Sequence, residues 1–425
     1  MSAVVDVDSH VYEPQALWDR FVPSEYQAAA RAALWHGVDD RGNRTTIRNG
    51  RQTTQTGHSK IVREAVWRPG TTPDEIGALD PDDPAPLNPG AWDPEARLAD
   101  MDAMGVDQAL LFPTVFNEHL PLVENPDAAA VLARAYNDWA LDHASAAPDR
   151  LFPAAVLPVQ SLLFAQRELD RVAALGVRGV VLRPMFYEVP VSERVGRSAA
   201  TSSSMFFSHD SPRGTYVSHP HFAPLWRQIE QLGLVACVHP ALGITNPEAT
   251  SAGSFLERVS ARMEIGHTVA EPVAALQDNG IFLTAACFQG LMEDHPALRF
   301  VLLHSGATWL PLALEKAETY LWVSIPTVFA APPDPVSLEP AEVFDEHPAL
   351  VGFDGWETSV GRLHDVFARN AAWGSRYPHH DAAGPSEAIE MLRAGGAPDA
   401  TVDRLMGTNA AELFRLPVVE RVGRP

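Results

Sequence analysis

Residues 151–184 read LFPAAVLPVQSLLFAQRELDRVAALGVRGVVLRP. Two short apolar runs, 151–158 and 177–184, enclose a segment in which apolar residues recur at helical spacing. Ser161 can cap the start of that segment, and Gly176 can end it. The stretch therefore predicts a strand, a helix and a second strand, which is the repeating unit of a parallel sheet.

The same alternation continues along almost the whole chain. Six further apolar runs have strand length: 3–8, 107–113, 234–240, 299–304, 349–354 and 371–375. Eight strands alternating with helices predict a (β/α)8 TIM barrel, since a parallel sheet of eight strands can close on itself. An open, doubly wound α/β sheet is the alternative, but no G-x-G-x-x-G turn follows the first strand.

Two insertions interrupt this rhythm within one predicted barrel domain that spans 1–425. Residues 14–95 follow the first strand, and their tryptophans predict a packed insertion subdomain. Residues 185–221 follow the fourth strand and are predicted to form an insertion loop, with disordered decoration as the alternative for 195–215. Because both insertions follow strand C-termini, we expect them at the active-site face, as a lid or a wall.

The composition argues against several classes of partner. The chain has 54 acidic and 32 basic residues, and the resulting net charge of −22 repels phosphate backbones. No stretch approaches the roughly 18 apolar residues of a membrane span, and the first ten residues lack a signal-peptide pattern. We therefore expect a cytoplasmic protein with no nucleic-acid or membrane partner. Cys237 and Cys287 lie in apolar runs and are predicted to be core residues.

Polar side chains stand at the C-terminal ends of the predicted strands. Alternation along the first strand places Asp6, Asp8 and His10 on one face. The fourth to eighth strands end at Arg183, His239, His304, Asp354 and Arg376. A single histidine after a strand is usually satisfied by the loop backbone, but these residues would converge at one mouth of a barrel. Asp8, His10 and His239 then form a two-histidine, one-carboxylate set suited to a divalent metal.

Six segments of the chain carry a resemblance to a known family: VVDVDSHVYEPQALWDRFVP (4–23), ARLADMDAMGVDQALLFPT (96–114), HFAPLWRQIEQLGLVACVHP (221–240), FQGLMEDHPALRFVLLHSGATWLP (288–311), WGSRYPHHD (373–381) and LMGTNAAELFRL (405–416). They resemble the amidohydrolase superfamily, in the amidohydrolase 2 branch that includes aminocarboxymuconate-semialdehyde decarboxylase. The resemblance implies one divalent metal, zinc by preference, on Asp8, His10 and His239. It implies that His304 orients or activates the metal-bound water. The last ligand of the family is an aspartate after strand eight, and Arg376 occupies that position here.

Arg376 leaves three outcomes open. A guanidinium about 4 Å from a divalent ion would be repelled by roughly 8 kcal/mol at an effective dielectric constant near 20, so it needs compensation. In the first outcome the metal stays, and Arg376 and Arg183 bind a substrate carboxylate. In the second, Arg376 pairs with Asp8 and the histidines carry out metal-free acid–base chemistry. In the third, the site is not catalytic.

The resemblance implies one of two reactions on a small, carboxylate-bearing substrate. Hydrolysis of an amide or ester-type acyl bond is favoured, because the D-x-D-x-H-x-x-E form of the first strand, Asp6 to Glu13, differs from the decarboxylases of the family. Non-oxidative decarboxylation, a carboxy-lyase reaction, is the alternative. Family members commonly form dimers, so a homodimer is expected, although no interface follows from the residues.

Several nearby residues have structural interpretations. Glu13 is as well explained by a salt bridge or a loop anchor as by catalysis, and Trp309 is expected to pack. Asp354, Glu357 and Asp381 could partly replace the missing carboxylate, but each is expected to be solvated or structural. His219, His221, His379 and His380 could reach the mouth from loops, but each taken singly is expected to be a surface residue.

Overall fold

The computed structural model describes residues 3–38, 44–54, 65–79, 87–184, 220–240, 271–288, 290–319, 322–323 and 340–419. Its strands, numbered in chain order, are β1 Val5–His10, β2 Leu34–Val38, β3 Arg44–Arg48, β4 Arg51–Thr54, β5 Gln108–Phe112, β6 Leu151–Val156, β7 Gly179–Leu182, β8 Val235–Val238, β9 Arg299–Leu302, β10 Ala349–Phe353 and β11 Ala371–Trp373. Eight of them form a parallel sheet in the order β1-β5-β6-β7-β8-β9-β10-β11. These are the eight strands that the sequence predicts.

The last strand of this sheet returns to the first. Beyond β11, the backbone N–H of Arg376 donates to the carbonyl of Asp8 at 2.8 Å, and the N–H of His10 donates to the carbonyl of Tyr377 at 2.6 Å. The Asp6 carboxylate accepts hydrogen bonds from both the backbone N–H and the hydroxyl of Ser375. The sheet is thus nearly closed into a TIM barrel, and the alternative of an open, doubly wound sheet is wrong.

Helices follow most of the barrel strands. The described helices are Ala16–Arg20, Gln27–Ala33, Pro73–Gly77, Pro94–Met104, Val115–His119, Pro126–Ala144, Leu162–Ala174, Ala223–Leu232, Glu271–Phe288, Leu291–Asp294, Trp309–Thr319, Pro340–Glu346, Thr358–Arg362, His364–Phe367, Pro385–Ala394, Asp399–Asp403 and Asn409–Phe414. The helix Leu162–Ala174 has the predicted ends: the Ser161 side chain accepts from the N–H of Phe164, and Gly176 has a φ of +86°.

Two apolar cores account for the stability of the barrel. One lies among alternate strand residues such as Val7, Leu110, Cys237 and Val301, together with Phe414 of the C-terminal helix. The larger core lies between the sheet and the surrounding helices. Cys237 and Cys287 are buried free thiols, as predicted. Within the described ranges, no helix is long and apolar enough to cross a membrane.

The first insertion contains a small antiparallel sheet in the order β2-β3-β4. Trp18 is fully buried in the main core, and Trp67 packs against Tyr377. Trp18 and Trp67 of the 14–95 segment therefore pack against the barrel, and the separate subdomain stays a prediction. Residues 185–219 of the predicted insertion loop lie outside the described residues.

Candidate active site

Four residues from three barrel strands converge at the C-terminal mouth. Asp8 and His10 end β1, His239 follows β8 and His304 follows β9. One ligand atom from each lies within 4.8 Å of every other, and we call these four residues the Asp-His cluster. His10 Nε2 is 3.3 Å from Asp8 Oδ1, and His239 Nε2 is 3.4 Å from the same oxygen. The predicted convergence of these residues is thus present.

The outward nitrogens of two of these histidines face backbone carbonyls. His10 Nδ1 is 3.3 Å from the carbonyl oxygen of Pro113, and His239 Nδ1 is 2.6 Å from that of Pro240. Because a carbonyl can only accept, these contacts favour the tautomer with the ring hydrogen on Nδ1, although the Asn117 amide nitrogen also lies 3.0 Å from His239 Nδ1. Each Nε2 then carries a lone pair that points into the site, as in histidines that bind metals.

The three inward atoms fit a metal ion. Two Nε2 lone pairs lie 3.2 Å apart, and no hydrogen bond reaches Asp8 Oδ1 within the described ranges, although this oxygen is buried. Burial would raise the pKa of Asp8, but the adjacent His10 and His239 outweigh burial and hold it well below the usual value. Burial lowers the pKa of His10. A carboxylate oxygen and imidazole nitrogens are the donor set that suits a divalent cation.

His304 completes the cluster in an unusual backbone conformation. Its φ of +60° lies in the left-handed region, which residues with side chains seldom adopt. Asn279 holds the flanking chain, because its side-chain N–H group donates to the Leu303 carbonyl at 2.8 Å and to Ser305 Oγ at 2.9 Å. The His304 ring stacks on His239 with centroids 4.9 Å apart, and its buried Nδ1 has no hydrogen bond among the described residues.

Burial is also the main cause of the altered protonation of His304. It lowers the pKa of this side chain well below the usual value, and the positive charge of Arg376 and the nearby His239 lower it further. His304 is therefore a neutral imidazole near pH 7, with a nitrogen lone pair that can accept a hydrogen bond.

Arg376 does not pair with Asp8. Its Nη1 donates to Asp381 Oδ2, and its Nη2 lies 3.8 Å from Asp354 Oδ2. Burial would lower its pKa, but the charges of Asp381, Asp354 and Asp8 outweigh burial and raise it. The Asp8–Arg376 ion pair expected for a metal-free site is therefore not formed. Asp354 and Asp381, expected to be solvated or structural, are the partners of this arginine.

The charges of the site balance a divalent ion. Asp8, Asp354 and Asp381 contribute three formal negative charges and Arg376 one positive charge, which leaves these four side chains with a net formal charge of −2. One divalent cation would neutralise this charge. Arg376 is thus compatible with a metal on the Asp-His cluster, since two carboxylates compensate its charge.

Two further residues lie at the site. The ring of His379 lies 4.4 Å from that of His10, so this histidine is not a surface residue as expected. Burial and the adjacent His10 lower the pKa of His379 well below the usual value. The Asn117 amide nitrogen lies 3.0 Å from His239 Nδ1. The alternative that His379 reaches the mouth is thus the one observed, whereas no sequence signal marks Asn117.

Glu13 anchors the start of the short helix that carries Asn117. Its carboxylate accepts the backbone N–H groups of Thr114, Val115 and Phe116 at 2.9–3.1 Å, which caps the start of the helix Val115–His119. Burial raises the pKa of Glu13 to about 7. The loop-anchor interpretation of Glu13 is therefore confirmed.

Arg183 and Trp309 lie at the margin of the site. Arg183 is buried beside Asn117 in the wall of a small, mostly apolar cavity, and it donates to the Glu118 carbonyl at 3.4 Å. Its assignment to substrate binding stays a prediction. Trp309 is buried and donates to the Gly306 carbonyl at 2.8 Å, so it packs as predicted.

Comparison with known proteins places the chain in a family. The family model described as "Amidohydrolase" matches residues 5–416. The chain belongs to the amidohydrolase family. A curated relative, the gamma-resorcylate decarboxylase of Rhodococcus jostii (strain RHA1), is 24% identical over 348 residues, which cover 79% of this chain and 94% of the relative.

Solved structures of amidohydrolases share the fold. An amidohydrolase from Mycobacterium avium subsp. paratuberculosis K-10 matches with a TM-score of 0.71 and 16% identity, over 97% of this chain and 99% of that one. The 5-carboxyvanillate decarboxylase of Novosphingobium aromaticivorans DSM 12444, in complex with manganese and 4-hydroxy-3-methoxy-5-nitrobenzoic acid, matches with a TM-score of 0.62 and 18% identity, over 98% of this chain and 96% of that one. A 2,6-dihydroxybenzoate decarboxylase also matches.

These amidohydrolases correct the expected reaction. The matched curated relatives are decarboxylases, and so are several of the matched structures. They support decarboxylation, the alternative of the sequence analysis, better than hydrolysis of an acyl bond.

Proposed function

We propose that the chain is a metal-dependent decarboxylase of a small aromatic carboxylate that carries a hydroxyl group beside the carboxylate. The observation that carries the proposal is the convergence of the Asp-His cluster within 4.8 Å at the mouth of an amidohydrolase barrel. Decarboxylation of gamma-resorcylate by curated relatives supports the substrate class.

Asp8, His10 and His239 are the proposed ligands of one divalent metal. When bound, the metal supplies Lewis acidity, which stabilises negative charge on substrate oxygens. Histidine and carboxylate ligands suit both zinc and manganese. Since a matched decarboxylase holds manganese, we propose manganese as the first metal to test, ahead of the zinc implied by the resemblance.

Arg376 is the proposed binding group for the substrate carboxylate. Asp381 occupies its Nη1, whereas Nη2 and Nε have no hydrogen bond among the described residues. The Arg376 side chain is 19% exposed, so a ligand in the mouth can reach it. A guanidinium with free N–H groups is the side chain best suited to a carboxylate.

His304 is the proposed proton carrier. As a neutral imidazole it can take the proton of the substrate hydroxyl. The bond between the ring carbon and the carboxylate then breaks, its electron pair stays on the carbon, and that carbon takes the proton from His304. Carbon dioxide leaves, and the phenolate product takes a proton from solvent. The unpartnered Nδ1 of His304 supports this role.

The proposal is tested with protein loaded separately with manganese and with zinc. The substrates are 2,6-dihydroxybenzoate, 5-carboxyvanillate and 6-methylsalicylate, with phenyl esters and anilides as hydrolysis substrates. We expect release of carbon dioxide and of the decarboxylated phenol from at least one carboxylate. Hydrolysis of an ester or anilide without any release of carbon dioxide would overturn the proposal in favour of a hydrolase.

A further inference from the structure

The backbone of Arg376 lies directly beside that of Asp8. Its backbone N–H donates to the Asp8 carbonyl at 2.8 Å. Two residues earlier, a Cβ on Gly374 would lie 2.5 Å from the Cβ of Asp8, so the end of β11 packs closely against this residue. A long, charged side chain that begins here can reach the Asp8 carboxylate, and the pairing would be favourable in a buried site.

The loop after β11 directs the guanidinium elsewhere. The His379 N–H donates to the Arg376 carbonyl at 2.8 Å, and the Ala382 N–H donates to the His379 carbonyl at 3.0 Å. These two turns bring Asp381 back to Arg376, where its carboxylate accepts from Nη1. Arg376 itself has a φ of +58°, a left-handed conformation that is uncommon for residues with a side chain.

We propose that Asp381 is a positioning residue that holds Arg376 away from Asp8 and thereby keeps Asp8 available to a divalent metal. The inference rests on the metal site of the proposed function. Without Asp381, two effects act in the same direction. The guanidinium, then compensated only by Asp354 at 3.8 Å, repels a cation on the Asp-His cluster more strongly, and it can pair with Asp8 in competition with that cation.

A double-mutant cycle on metal affinity tests this role without any substrate. Manganese dissociation constants are measured by competition with a fluorescent chelator for wild type, Asp381→Asn, Arg376→Gln and the double variant. We expect Asp381→Asn to bind manganese about 10- to 100-fold more weakly, the range typical of residues that support metal ligands. Arg376→Gln should bind at least as tightly as wild type, and the double variant should match Arg376→Gln.

Two further variants separate the proposed role from damage to the loop. Asp381→Glu keeps the carboxylate and should retain most of the manganese affinity. Asp138→Asn is the matched control, because Asp138 also pairs with an arginine and its side chain has the same 36% exposure as that of Asp381. It should leave manganese affinity unchanged, since Asp138 lies on the outer helix Pro126–Ala144.

The outcomes distinguish this inference from the proposed function. Unchanged manganese affinity in Asp381→Asn would overturn the inference, as would an equal loss in the Arg376→Gln background. Both results would leave decarboxylation untouched. If the cycle behaves as expected but no carboxylate is decarboxylated, the role of Asp381 stands and the proposed reaction is wrong.

Discussion

His10 Nε2 lies 3.2 Å from His239 Nε2, although the two residues are 229 positions apart in the chain. Both rings direct Nδ1 at a backbone carbonyl, and in the tautomer with hydrogen on Nδ1 the Nε2 lone pairs face each other beside the Asp8 carboxylate. Such an arrangement of acceptors is unfavourable unless a cation lies among them. This relationship between β1 and β8 is the strongest structural support for a metal.

Replacement of one ligand should abolish metal binding. His239→Ala removes one of the three inward atoms, and we expect manganese affinity to fall by more than about 100-fold, because ligand loss should exceed the 10- to 100-fold effect of supporting residues. Equilibrium dialysis with metal analysis measures this. His347→Gln is the control, since His347 is also buried but packs against Phe300. Equal metal content in both variants would contradict the ligand assignment.

Replacement of Arg376 should weaken carboxylate binding selectively. In metal-saturated protein, Arg376→Gln should raise the dissociation constant of 2,6-dihydroxybenzoate by about 10- to 100-fold. This is the loss of affinity expected when one charge-assisted hydrogen bond is removed. The dissociation constant of resorcinol, which lacks the carboxylate, should stay within about twofold. Calorimetry of both ligands checks this, and an equal loss for the two would show that Arg376 does not bind the carboxylate.

Glu13 should make stability depend on pH. Its pKa is raised from 4.5 to about 7 in the fold, so between these values the folded state holds more protons than the unfolded state. The free energy of unfolding should therefore fall by up to about 3 kcal/mol, from this group, as pH rises from 4.5 to 7. Above pH 7 the contribution of Glu13 should no longer change with pH. Glu13→Gln should lack this contribution.

Urea unfolding at pH 5 and pH 8 measures the effect as the difference between wild type and Glu13→Gln. The exposed Glu390 provides the control variant Glu390→Gln, which should follow wild type at both pH values. A difference between wild type and Glu13→Gln that does not change with pH would contradict the raised pKa.

Among residues in the wall of the site, replacement of Arg97 should lower the free energy of unfolding the most. It is fully buried, and it donates to Ser9 Oγ at 2.8 Å, to the Gly90 carbonyl at 2.9 Å and to the His10 carbonyl. Arg97→Met leaves these acceptors without a donor, so we expect a loss of roughly 3 kcal/mol or more in unfolding free energy.

Arg134→Met is the comparison for Arg97→Met, because the Arg134 side chain is 65% exposed. Its replacement should change the unfolding free energy by less than about 0.5 kcal/mol. Similar values for the two variants in urea unfolding would refute the structural role of Arg97.

The strands and the Asp-His cluster were predictable because each depends on local pattern. Apolar runs separated by amphipathic helices define the barrel, and the C-terminal ends of parallel strands meet at one face. Side-chain alternation alone did not predict correctly which residues of β1 share a face. The β1–β5 register shifts between Asp6 and Ser9, and the carboxylate of Asp6 binds Ser375 while that of Asp8 faces His10.

The partners of Arg376 were not predictable, because they depend on loop conformation. Two turns and a left-handed residue bring Asp381 to the guanidinium, and none of these features has a clear signature in RYPHHD. The same loop brings His379 onto His10. Asn117 reaches His239 only because Glu13 fixes the start of its helix, a contact between residues about a hundred positions apart.

The central claim is that a metal on Asp8, His10 and His239 supports decarboxylation. The most direct measurement follows carbon dioxide and resorcinol formed from 2,6-dihydroxybenzoate by manganese-loaded protein, by chelator-treated protein and by treated protein after manganese is restored. The account predicts equimolar products with manganese, none after chelation and recovery on restoration. Equal rates with and without metal, or no carbon dioxide from any aromatic carboxylate tested, would contradict it.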